Sequence, residues 1–137
     1  PMTVLVPAGL PLVEAARWVG GSCWLELHAH AVITDALADL SLEDPQRIAL
    51  WTVRSNRAEM AEAWHRRLPE LREFPRETFV SRPDGVGADT PDGVLAQLHR
   101  RYAEHEAVAV GPADGPVAQT LARAGELIAR DLAAVAG

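Results

Sequence analysis

The stretch that decides the fold is PLVEAARWVGGSCWLELHAHAVITDALADL, residues 11–40. Apolar side chains recur in it at steps of three and four, with no internal proline and no alternation of period two, so it predicts a single helix of roughly 40 Å. On that helix the inward stripe is Leu12, Ala16, Val19, Cys23, Glu26, His30, Ile33 and Leu37. Two ionisable residues, Glu26 and His30, thus sit on an otherwise apolar face. His28 falls roughly 200° from Glu26 and is expected on the solvated side.

Outward from this helix the punctuation is regular. SLEDP offers Ser41 and Asp44 as caps, with Pro45 in a first turn where its missing N–H costs nothing. A second helix is therefore expected over about 45–68, stopped by Pro69. In DTPDG, Thr90 caps and Pro91 leads a third, over about 91–110, and a fourth follows Asp114 over about 115–135. The expectation is a single all-α domain over 1–137, an antiparallel four-helix bundle. The short outer links make each flanking pair of helices antiparallel neighbours. The middle link, PELREFPRETFVSRPDGVGAD, is long for a compact domain. It reads either as a crossover, about 69–90, running the length of the bundle, or as a surface loop in a plain up-down-up-down order.

The inward stripe of the second helix is Leu50, Val53, Arg57, Met60, Trp64 and Leu68. That of the third is Leu95, Leu98, Tyr102, His105 and Ala109, and that of the fourth is Val117, Leu121, Ala124, Ile128, Leu132 and Val135. The fourth stripe is wholly apolar, with Glu126 and Asp131 read as solvated. The inward polar set is therefore Glu26, His30, Arg57, Tyr102 and His105. Bare charges in an apolar interior cost several kcal/mol, about enough to force these groups onto one another, a ligand or water. A Glu26–Arg57 pair flanked by the others would satisfy most of them. Glu62 and His65 have the i,i+3 spacing of a metal-binding pair but lie off the stripe, so a solvated pair is the expectation there.

Composition narrows the function classes. The net charge is -6 and every one of the 13 basic residues is a scattered arginine, which excludes the clustered cationic face of a nucleic-acid binder. No apolar run is long enough for a membrane span. The lone Cys23 rules out a disulfide framework, and the opening PMTVLVPAGLP lacks a signal peptide's basic flank and apolar core, so a cytoplasmic protein is expected. Four tryptophans, Trp18, Trp24, Trp51 and Trp64, are either core or part of a helix-face homodimer interface.

The pieces WLEL (24–27), AWHRRLPEL (63–71), YAEH (102–105) and GPADGPVAQTL (111–121), on a four-helix frame with a long middle link, resemble a group of actinobacterial ferritin-like proteins of poorly defined function. The wider superfamily draws a Glu from each of two helices and a Glu-x-x-His from each of the other two around two metals. The resemblance implies that Glu26 is a first-helix ligand position and His105 a remnant ligand. Arg57 and Met60 stand where second-helix ligands would be, and Ala129 replaces the histidine that would follow Glu126. The expected function is a bundle that has lost its dinuclear centre and serves as a binding or interaction module, without cofactor and more a non-enzyme than an enzyme. The alternative is a mononuclear iron or manganese site at Glu26, His30 and His105, with Glu62 and His65 as lesser candidates. A third reading pairs Tyr102 with His105 or His30 as acid and base.

Overall fold

The computed structural model describes residues 9–136. Its helices are α1 (Leu12–Ala36), α2 (Asp44–Arg66), α3 (Pro91–Val108) and α4 (Gly115–Ala136), with short 3₁₀ turns at Arg76–Phe79 and Pro112–Asp114. Among the described residues no helix is long and apolar enough to cross a membrane.

The termini of these helices follow local chemistry. Thr90 accepts a hydrogen bond from the Gly93 amide at 3.1 Å, with Pro91 in the first turn, as the spacing predicts. At α2 the cap is Glu43 rather than Ser41 or Asp44. The Gln46 side chain accepts from the Glu43 amide at 3.0 Å, closing a capping box, and Asp44 is already helical. The first helix stops at Ala36, short of the expected Leu40. Its last carbonyls, of Ile33, Asp35 and Ala36, accept from the Leu37, Ala38 and Asp39 amides, and Arg47 donates to the link carbonyls of Leu37, Asp39 and Leu42 at 3.1, 3.3 and 3.4 Å, holding the chain off another turn. Asp39 instead accepts from the Ser41 amide and hydroxyl at 2.9 and 2.7 Å.

α1 packs against α2 and α3, and α4 against the same two, so α2 and α3 lie diagonally across the bundle. Along α1 and α2, Cys23 meets Ala61, Glu26 meets Arg57, and Leu37 meets Arg47, numbers rising on one helix as they fall on the other. The same opposite running links Trp18 and Ser22 of α1 to His105 and Arg101 of α3. It also links Arg67, just past the end of α2, to Thr120 of α4, and Asn56 to Asp131.

The middle link climbs the outside of α1. Phe79 is buried against Gly20, Pro83 lies 3.1 Å from where a Gly21 side chain would begin, and the Ala88 carbonyl meets His28 at 2.9 Å. Because α1 is covered on this side as well, its buried arc extends beyond the predicted stripe to Ser22, Leu25, Ala29 and Val32.

The two adjacent glycines of α1 thus have a packing reason. A methyl group on Gly20 would overlap the Phe79 carbonyl and side chain, whereas one on Gly125 of α4 would meet nothing within 4 Å. Gly125→Ala is expected to stabilise the protein by roughly 0.5–1 kcal/mol, since only chain entropy changes. Gly20→Ala is expected to lose about 1–2 kcal/mol net, overpacking outweighing helix propensity, and to speed protease cleavage in the middle link. Urea midpoints and limited proteolysis of both variants check this. Equal stabilisation by the two would mean that the link does not rest on Gly20.

Candidate functional site: a buried guanidinium between two carboxylates

Arg57 reaches the bundle centre because α2 carries it on the same face as Val53, Met60 and Trp64, all buried. Its Nη1 donates to Glu26 of α1 at 2.7 Å to Oε1 and 3.1 Å to Oε2. Its Nη2 donates to Oδ2 of Asp131 of α4 at 2.8 Å. Glu26 and Arg57 are wholly buried and Asp131 almost so. Asn56, one residue before Arg57, donates to both oxygens of Asp131 at 3.0 and 3.2 Å. One side chain thus ties three helices through charge-assisted hydrogen bonds, the strong kind in a dry interior.

A single guanidinium neutralises one carboxylate, and two are present. Burial pushes the Glu26 carboxyl up to about 7, partly offset by the positive charge of Arg57 and by hydrogen bonds from Tyr102 and Arg57. Glu26 therefore takes up a proton as pH falls below neutrality.

Beside this bridge lies an aromatic layer. The Trp64 indole donates to the Tyr102 hydroxyl at 3.0 Å, and burial, followed by the negative charge of Glu26, holds that phenol well above its ordinary range. His105 is stacked on Trp18, ring centroids 4.8 Å apart, and lies 5.8 Å from Trp64. Burial, reinforced by Arg101, lowers His105 to about 4, so at neutral pH it is an uncharged ring. Its Nδ1 is buried and has no hydrogen-bond partner among the described residues, as is true of Arg57 Nε.

Of the five residues expected to face inward, Glu26 and Arg57 meet directly, Tyr102 adjoins them, and His105 is buried nearby. His30 does not join them. It is half-buried at the edge of α1, because the covered arc is shifted toward the middle link and leaves it on the rim. His28, expected in solvent, is instead half-buried, bonded to Ala88 and stacked on Trp24 at 5.0 Å. The apolar reading of α4 is also corrected, because Asp131 is 2% exposed and carries half of the bridge. Glu62 pairs with Arg66 at 3.3 Å, and His65 faces Glu77 at 3.9 Å, both near the surface and apart from the bridge. Of the tryptophans, Trp64 is core, Trp18 and Trp24 are half-buried, and Trp51 is 51% exposed.

A metal centre needs several anionic or imidazole donors around one point. Among the described residues no group of three or more His, Cys, Asp or Glu side chains could hold an ion, so Glu26, His30 and His105 are not gathered into one set. The two carboxylates that are close share Arg57, whose permanent charge stands where a cation would be held. The residues present do not fit a di-metal cluster.

Among the described residues, fold and site together define four α-helices and no strand, with a carboxylate–guanidinium–carboxylate bridge at the centre. No family model, curated protein or solved structure matches the chain.

Proposed function

We propose that this chain is a ferritin-like antiparallel bundle in which an arginine has replaced the dinuclear metal centre, leaving a non-enzymatic binding or interaction module. The single observation that carries the reading is Arg57, held at 2.7 Å from Glu26 and 2.8 Å from Asp131 with no exposure to solvent. Carboxylate-bridged bundles use carboxylates from facing helices to hold cations at this depth. Here two such carboxylates hold a guanidinium. Support for the ferritin-like order comes from the diagonal placement of α2 and α3 and from a middle link that tracks α1, as a crossover between parallel helices requires.

The proposal includes a cytoplasmic homodimer joined through helix faces. Ile48 and Trp51, one turn apart on α2, are 58% and 51% exposed, an apolar face with no partner among the described residues. Freshly purified protein is expected to sediment as a dimer, to carry no stoichiometric iron or manganese, and to keep its thermal midpoint in the presence of a chelator. Stoichiometric metal, with a midpoint lowered by the chelator, would contradict the loss of the metal centre.

A further inference from the structure

Away from the bridge, a cleft of about 490 Å³ opens between the outer face of α1, the middle link and Arg101 of α3. Its size falls within the range of small-molecule sites. We infer that this cleft is a binding site for a small organic acid, a monocarboxylate with a flat apolar body that rests on the walls formed by Trp18, Phe74 and Phe79, with its carboxylate on Arg101 and Arg17. The inference stands independently of whether the bundle ever held metal.

Arg101 is the reason for choosing an anion. Its Nε donates to Ser22 Oγ at 2.9 Å and its Nη2 to the Trp18 carbonyl at 2.9 Å, while the guanidinium carbon lies 4.8 Å from the centre of the Trp18 ring. These contacts fix the group on α1 and leave Nη1 without a hydrogen bond among the described residues. The approach requires Gly21, because a side chain there would collide with the guanidinium. The cation is thus preorganised and half-buried, which reduces the ordering cost of binding an anion. Burial also lowers the Arg101 pKa, a cost that a carboxylate partner would offset.

Arg17, one residue before Trp18, lines the same cleft and makes no ion pair among the described residues. Arg82 also lines it, with its guanidinium turned to the Val86 carbonyl of its own link. Two exposed carboxylates, Glu14 and Asp84, complete the charged lining, and Thr78 and Ser81 are its neutral polar side chains. With Glu104 also acting on Arg101, the cleft has no large positive excess to balance a doubly charged phosphate, and a single carboxylate is the better match. The remaining walls include Val13, Trp18, Pro83, the buried Phe79 and Phe74, which is 41% exposed, and an inorganic anion would leave these apolar surfaces uncovered.

The experiment is an NMR titration of the full chain with phenylacetate, alongside phenylacetamide and inorganic phosphate. Saturable shifts are expected at Trp18, Gly21, Phe79 and Arg101 with phenylacetate, and binding at least roughly tenfold weaker with the uncharged amide, as loss of a charge-assisted bond implies. Arg101→Gln is expected to weaken phenylacetate by about tenfold or more, and Arg17→Gln, on an exposed residue, by about threefold. Ser81→Trp, at the rim, should block the cleft while the rest of the spectrum is retained. Should Arg101→Gln lose the folded spectrum, Arg17→Gln and Ser81→Trp decide the matter. Equal binding of acid and amide, equal binding of phosphate at the same residues, or undiminished binding by both Arg17→Gln and Ser81→Trp would overturn the assignment.

Discussion

Arg57→Met is expected to lose about 3–5 kcal/mol of stability at pH 7, the cost of leaving buried carboxylates without their cation. Glu26 and Asp131 are both nearly sealed from water, so neither can be rehydrated without opening the bundle. Urea unfolding of the variant at pH 7 measures the loss. Replacing the whole bridge, Glu26→Met with Arg57→Met and Asp131→Leu, is expected to restore wild-type stability or exceed it by about 1–4 kcal/mol, because no unpaired charge remains. A single variant as stable as wild type at pH 7 would mean that the bridge is not buried as described.

The second large effect is a pair of opposed pH dependences. Glu26 is raised from 4.5 to about 7, so between those values the folded state holds a proton that the unfolded state has released. Its contribution is fully present below pH 4.5 and is lost as pH rises toward 7. His105 is lowered from 6.5 to about 4, so over that window the unfolded state holds the extra proton, and stability is gained as pH rises. Each spans about two and a half pH units at about 1.4 kcal/mol per unit, or about 3 kcal/mol in opposite directions. Between pH 4.5 and 6.5 the two cancel. His105→Phe, which keeps a ring against Trp18, is expected to expose the Glu26 arm, with stability falling by about 3 kcal/mol from pH 4.5 to 7. Glu26→Gln is expected to expose the other arm, rising by a similar amount from pH 4 to 6.5. Urea denaturation at half-unit pH steps reads both. A His105→Phe profile as flat as that of wild type would remove His105 from the account.

The helices were legible because proline and its caps mark them. Pro45 and Pro91 lie in first turns as expected, and all six residues of the α2 stripe are buried, Arg57 among them. Periodicity is a poorer guide where a second surface covers a helix. The middle link lies on α1, so the buried arc there widened, drawing in His28 and leaving His30 on the edge, which no periodicity of α1 alone could reveal. Asp131 is a different case, because its signal was present. Steps of four and three from Val117 pass through Leu121, Ala124 and Ile128 and then reach Asp131, and only hydrophobicity favours Leu132 in its place. With Glu26 and Arg57 inside, one negative and one positive charge already balance, so the charge count carries no cue to a second carboxylate. The cleft at Arg101 depends on the path of the link, which local sequence does not encode.

Anomalous diffraction from crystals grown in manganese(II) chloride tests most directly whether the Arg57 guanidinium, and not a cation, lies between Glu26 and Asp131. The expected map has the Arg57 guanidinium joining Glu26 and Asp131 with no anomalous peak between those carboxylates. A manganese peak there, with Arg57 displaced, would contradict it.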